Sequence, residues 1–199
     1  MPRSFLFGVH HTLGAYDEIR PKLDAALAKH KPAAVLVELS DPQVAYLSMI
    51  SPATEKSLSS ERMNEFYRIS GLQPRNLVDH MQIADFIEFY RRVIHQCKDR
   101  GFEVKGLESP QLVKRVFLGE ESPQLNEERE HVWTEKLKIN PNSMAVAGGK
   151  HVSPMKRKIV LAGQLPHVAF RPHVLNAVEN VGNSIADFAT NLRSTMTRK

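Results

Sequence analysis

An α/β fold with a mainly parallel central sheet flanked by helices is predicted by three features of the 199-residue sequence. Apolar runs of strand length recur at 4–11, 33–40, 101–109 and 142–151, long stretches of helical periodicity separate them, and each run stops on or beside a histidine or glutamate. Runs this apolar suit strands buried on both faces, as in parallel sheets. Ligands of such sheets bind beyond the carboxyl ends of the strands, so His11, Glu38, Glu108 and His151 are expected to converge on one pocket.

SFLFGVHH is the first strand, ending at His11. Residues 17–30 then set Ile19, Leu23, Ala26 and Leu27 on one helical face, with Pro21 expected within the first turn, and Lys31-Pro32 ends the helix. AAVLVELS is the second strand. Ser40-Asp41-Pro42 follows as a helix start, a capping acceptor with proline in the first helical position. Residues 51–75 read as a flexible helical insertion, polar and serine-rich to Ser60 and helical over 61–69. Residues 76–100 form a long amphipathic helix with Leu77, Met81, Ala84, Ile87, Tyr90 or Arg91, and Ile94 on the apolar side. Asp85, Glu88, Arg91 and Arg92 read as its salt-bridged outer face.

Gly101 stops that helix, GFEVKGLES is the third strand, and Ser109-Pro110 repeats the cap-plus-proline device. A helix over 121–137 carries Glu128, Arg129, Glu130, His131 and the single tryptophan, Trp133; the other charges around Arg129 are expected to be exposed. Asn140-Pro141-Asn142 turns the chain into the fourth strand, ending at His151. KIVLAG, at 158–163, fits a fifth strand or a helix start equally well. Val174, Val178, Val181, Ile185, Phe188 and Leu192 predict an amphipathic helix over 173–195 that packs on the sheet or on a second copy as a homodimer.

Composition narrows the function. With 42% hydrophobic residues, the chain from 1 to 199 reads as a single domain. One cysteine, Cys97, excludes an internal disulfide and a cysteine-based zinc cluster, and in its helical setting it reads as a partly buried structural thiol. No run reaches membrane-spanning length and MPRSFLFG lacks the features of a signal peptide, so a cytoplasmic location is expected. The net charge of +5 is dispersed, without aromatic interleaving, which argues against a nucleic-acid partner. Phosphate-cradling glycine loops, a nucleophile elbow and H-E-x-x-H are absent, which argues against nucleotide-dependent, serine-hydrolase and zincin chemistry.

Gly8-Val9-His10-His11 and Gly148-Gly149-Lys150-His151 repeat one pattern, glycine, two residues, then histidine, directly after an apolar strand. Glycine there permits a sharp turn or close approach to a ligand, so Gly8, Gly148 and the nearby Glu108 are candidate cofactor contacts. Two imidazoles and two carboxylates suit two chemistries: a nitrogen/oxygen metal site, or a metal-free pair in which an imidazole is general base and a carboxylate orients it. His30, His80, His95, His167 and His173 read as surface or helix-face residues.

The order of these segments resembles the TraB/TIKI superfamily, which includes erythromycin esterase-like and ChaN-like haem-binding proteins. FLFGVHHT resembles its opening strand and first histidine motif, VLVELSDPQ its V-E-L-D-x-x-R segment, EEREHVWTEKL its E-R-D helix, and MAVAGGKHV its closing G-x-G-H-V strand. The likeness spans about residues 4–153. It implies a catalytic set of His11, Glu38, Arg129 and His151, acting on a peptide or ester bond of a small-molecule or peptide substrate. One branch implies a divalent metal (Mn, Co or Zn) on His11, Glu38 and His151; the esterase branch implies none. Arg129 would bind a substrate carboxylate or a developing oxyanion. Val9 stands where the esterase branch has glutamate, Asp41-Pro42-Gln43 lacks the usual arginine, and Lys150 replaces a small residue. A non-catalytic haem or small-ligand carrier, with Tyr16 as a ligand, is the second reading, and a toxin or effector domain the third.

Overall fold

Five strands form one sheet: β1 (Arg3–Val9), β2 (Ala34–Val37), β3 (Glu103–Gly106), β4 (Met144–Gly148) and β5 (Leu165–Phe170). Their order across it is β3-β2-β4-β1-β5, and all four pairings are parallel, as expected of the α/β class. The structure is a computed structural model that describes residues 3–74, 77–117, 120, 122–161 and 165–170. Parallel neighbours cannot be joined by hairpins, and the crossovers are helical. They are α1 (Leu13–His30), α2 (Asp41–Ser48), α3 (Ser60–Ser70), α4 (Leu77–Asp99), α5 (Pro110–Phe117), α6 (Pro123–Ile139) and α7 (Val152–Leu161).

Side-chain alternation divides the interior into two layers. Phe5, Phe7, Val9, Val35, Val37 and Val146 face the layer of α1 to α4. Leu6, Leu36, Ala145 and Ala147 face Trp133 and Leu137 of α6 and Met155 and Ile159 of α7. Leu23 and Leu27 of α1 are fully buried, each contributing about 1.5–3 kcal/mol relative to exposure. The cap motifs act as expected. Ser40 N–H and Oγ both donate to Gln43 Oε1, Ser109 Oγ accepts from Leu112 N–H, and Ser122 Oγ accepts from Leu125 N–H. Gly101, at φ +81°, closes α4.

Several expectations are corrected. Helix α1 begins at Leu13, capped by Thr12, so Pro21 lies well inside it. Pro21 and Asp17 are both exposed, which lets water satisfy the Asp17 carbonyl that proline leaves without a donor. Met81 is 62% exposed; the buried stripe of α4 runs instead through Ile83, Ile87, Tyr90, Ile94 and Cys97. Glu88 and Arg91 are buried rather than part of a solvated face. Arg91 donates to Glu88 and to the carbonyls of Ile50, Glu55 and Lys56, tying residues 50–56 to α4. Residues 158–161 belong to α7 and the fifth strand comes later, at Leu165–Phe170. The helix expected at 173–195 lies outside the described residues.

Among the described residues no helix is long and apolar enough to cross a membrane.

Candidate functional site

The carboxyl ends of four adjacent strands, β3, β2, β4 and β1, present the residues singled out in the sequence. His11 comes just after β1, Glu38 directly after β2 and Glu108 in the turn between β3 and α5. His151 ends a short 3₁₀ turn, Gly149–His151, between β4 and α7. Helix α6 crosses these ends and adds Arg129.

Glu38 is the centre of the cluster. Its Oε1 accepts from Arg129 Nη2, and its Oε2 accepts from the Gly148 backbone N–H at 2.8 Å. His11 Nε2 lies 3.1 Å from Oε2. Arg129 also donates through Nε to Glu108 Oε2 at 2.6 Å, so one guanidinium bridges two glutamates. Burial alone would raise the Glu38 pKa, but the charges of His11 and Arg129, with a smaller part from His151, hold it well below the usual carboxylate range. Glu108 moves the other way: burial pushes it up and Glu38 adds to the rise, against the opposing pull of Arg129. The two carboxylates on one guanidinium therefore differ, with Glu38 the more firmly ionised.

The other histidine has its own carboxylate. His151 Nδ1 lies 2.9 Å from Glu130 Oε1, both residues are buried, and the Trp133 indole meets the imidazole edge-on at 4.9 Å. Lys158 Nζ stands 3.8 Å from the other Glu130 oxygen. Opposite them, Phe86, Phe89 and Tyr90 of α4 surround the His11 ring with centroids 5.2, 6.0 and 5.4 Å away. The Tyr90 hydroxyl donates to the Val146 carbonyl, and burial and Glu38 push its pKa well above the ordinary phenol value. His11 keeps 24% side-chain exposure against 6% for Glu38, so the imidazole is the open face of the pair.

Glycine at 148 is a requirement of this geometry. A Cβ there would sit 2.9 Å from His11 Cε1, too close for the ring to stay beside Glu38. Gly8 has a different reason, because a Cβ would meet Val152 Cγ2 at 2.9 Å and push α7 off the sheet. Its packing role is complete without a ligand.

Among the described residues His151 Nε2 is buried at the site without a hydrogen-bond partner; Glu108 Oε1 and Trp133 Nε1, also buried, interact with one another, and buried His11 Nε2 meets Glu38 Oε2 at 3.1 Å without ideal alignment. A buried unpaired polar group costs about 1–3 kcal/mol, so such an arrangement needs a reason.

Arg129 differs from its expected role. With one carboxylate on Nε and another on Nη2, it holds the site's own glutamates, and its pKa is raised by them despite burial. Glu130 was expected on the solvated side of α6 and is buried. It shares a face with Leu125, Arg129, Trp133 and Leu137, a spacing visible in the sequence had the apolar positions of α6 been used to orient its charges. Tyr90 and Trp133 carried no sequence signal that distinguished them from core aromatics.

The implied cofactors fit poorly. Among the described residues no group of three His, Cys, Asp or Glu side chains is disposed to hold a metal ion. Glu38 and Glu108 both reach Arg129, and His151 turns Nδ1 to Glu130 instead of joining His11 and Glu38. Tyr16, the candidate haem ligand, is buried with its hydroxyl 3.2 Å from Gln96 Oε1 in the α1–α4 interface.

Together these features define an α/β protein with two carboxylate–imidazole pairs at the carboxyl edge of its sheet, linked through an arginine helix. No family model, curated protein or solved structure matches the chain.

Proposed function

We propose that the chain is a hydrolase of an ester or peptide bond, of the TraB/TIKI type, in which His11 is the general base and Glu38 orients it. The observation that carries this reading is the ionised Glu38 carboxylate, fixed by Arg129 and the Gly148 N–H, 3.1 Å from Nε2 of a partly exposed imidazole. A fixed anion beside Nε2 keeps the proton on that nitrogen and leaves the Nδ1 lone pair to take a proton from water. As water attacks the substrate carbonyl, the imidazolium formed on His11 is stabilised by Glu38. In this scheme Arg129 and Glu108 are positioning residues that keep Glu38 ionised and in place.

His151 supplies the second proton function. With Nδ1 directed at Glu130, its buried and unpartnered Nε2 is the nitrogen left to donate to a leaving group that enters beside Trp133 when the ring is protonated. Two imidazoles with separate carboxylates divide the base and acid roles without a metal. The aromatic enclosure of His11 favours a second reading, a non-catalytic carrier of an apolar ligand.

The test is hydrolysis of an aryl-ester and fluorogenic-peptide panel by the protein and its Glu38→Gln variant, each before and after EDTA, with an absorption spectrum of both. Turnover that survives EDTA and is lost in Glu38→Gln supports the hydrolase. Turnover that EDTA abolishes and Mn, Co or Zn restores replaces the general-base scheme with a metal-dependent one. No turnover together with a Soret band supports the carrier.

A further inference from the structure

On the edge opposite the candidate site, four basic side chains from three elements line one cleft of about 340 Å³: Arg3 of β1, Lys29 and His30 of α1, and His167 of β5. No carboxylate lines it. Among the described residues, none of the four takes part in an ion pair with an acidic side chain. Lys22, Arg68, Arg100, Arg115 and Lys136, by contrast, each pair with a carboxylate. The imidazoles pack against one another at a tilt of 56°, with His30 and His167 centroids 4.7 Å apart and Phe5 4.7 Å from His30. The wall is therefore preformed. Phe5, Leu165 and Pro166 complete it with apolar surface.

We propose that this cleft binds a phosphomonoester, with Arg3, Lys29, His30 and His167 around the phosphate and Phe5, Leu165 and Pro166 against the group that carries it. Unpaired like charges repel one another, and a dianion relieves that repulsion while supplying several acceptor oxygens to the donors present. A single carboxylate would match less of this charge. Protonated imidazoles donate from both ring nitrogens, so affinity is linked to histidine protonation. Without an anion, burial and the neighbouring charges of His167 and Lys29 lower the His30 pKa. The carboxyl end of α1 favours a cation at His30 and opposes an anion, which makes the side-chain charges necessary. The same phosphate chemistry is carried by soluble metabolites and by lipid headgroups.

Inorganic phosphate titrated into the protein at pH 6.5, followed through the imidazole NMR signals and compared with sodium chloride at matched ionic strength, tests the proposal. Saturable shifts at both His30 and His167 with phosphate are expected, and Lys29→Glu should weaken binding about tenfold or more by replacing attraction with repulsion. Lys29 is exposed, and an unchanged thermal melt shows the variant folded; Arg3→Gln, also at an exposed position, is the second variant. Matching non-saturable shifts in phosphate and chloride, or unaltered affinity in both folded variants, overturn the proposal. Glycerol 3-phosphate and phosphatidic acid vesicles then separate the sources. Binding of glycerol 3-phosphate assigns a soluble ligand, binding of vesicles alone assigns a headgroup, and binding of neither overturns the assignment.

Discussion

Two buried glutamate–arginine systems in this chain are built from the same groups and left in opposite states. Around Arg91, the guanidinium donates to both oxygens of Glu88 and to the carbonyls of Ile50, Glu55 and Lys56, while Glu88 Oε1 accepts the Leu58 N–H at 2.6 Å. Neither side chain has a buried polar atom left over. Around Arg129, by contrast, His151 Nε2 has no partner among the described residues, and Glu108 and Trp133 satisfy one another only through a poorly aligned contact. Complete satisfaction uses up every group in holding the fold. Incomplete satisfaction leaves donors and acceptors for a ligand at an energetic cost, which is characteristic of a functional site.

The largest expected contrast is in activity. His11→Ala and Glu38→Gln should each lower hydrolysis by about 10²–10⁴-fold, the range of a lost general base. His11→Ala should also leave the melting temperature nearly unchanged, whereas His151→Ala, which strips the buried Glu130 of its partner and opens a cavity against Trp133, should lower it. The His11→Ala/His151→Ala double variant should be no worse than the more damaging single one, as for groups that act as a unit. Multiplicative losses would separate the two imidazoles into independent roles, and a large fall in melting temperature with activity intact would make both structural.

Arg91→Leu should show the reverse. It leaves the buried Glu88 carboxylate without its partner, a change that costs about 3–5 kcal/mol by chemical denaturation, while activity per folded molecule is retained. Loss of activity in the folded variant would join the two regions and remove the contrast. Glu130→Gln is expected to fall between them. Losing a charge-assisted hydrogen bond worth about 1.5–3 kcal/mol should reduce kcat by roughly 10- to 150-fold, with KM little changed. An unaltered pH–rate profile in that variant would show that Glu130 does not tune His151.

The pH dependence of stability sharpens the comparison further. The folded pKa of Glu38 lies well below the ordinary glutamate value of 4.5, so its stabilisation is fully present above about 4.5 and is lost as pH falls through the depressed folded value. The denaturation free-energy gap between the parent and Glu38→Gln should therefore be level near neutrality and shrink in acid. Glu108 has a raised folded pKa, and its contribution improves as pH falls through that value. A gap for Glu108→Gln that shrank in acid in parallel with the Glu38 gap would refute the assignment of opposite shifts. The smallest effect is expected at Cys97, further along α4 from Arg91. Its thiol is fully buried and burial pushes its pKa to about 12, so Cys97→Ala should cost about 1 kcal/mol and leave activity unchanged. Inactivation of the folded variant would expose a nucleophile outside both systems.

Much of this architecture is legible in local pattern. Apolar strand runs, serine–proline caps and Gly101 mark elements through backbone chemistry within a few residues of each boundary. His11, Glu38 and Glu108 stand at strand ends because each directly follows an apolar strand run in the sequence, and the parallel sheet brings those ends to one edge. Pro21 lies deeper in α1 than the apolar pattern indicates, because Thr12 caps the helix before that pattern begins. LPHVAF has little strand signal of its own, because a proline near the start of a short edge strand weakens its periodicity.

What the sequence determined by itself was therefore the α/β class, the alternation of strands and helices, and which histidines and glutamates stand at strand ends. Those properties depend on side-chain period and on capping between near neighbours in the chain. Packing between distant elements sets the rest: Arg129 bridges Glu38 and Glu108, Glu130 rather than Glu38 faces His151, and Arg91 is spent on a loop. Each of those pairings depends on which groups lose water when the helix layers close on the sheet. That depends on distances between elements far apart in sequence, and no local spacing encodes it.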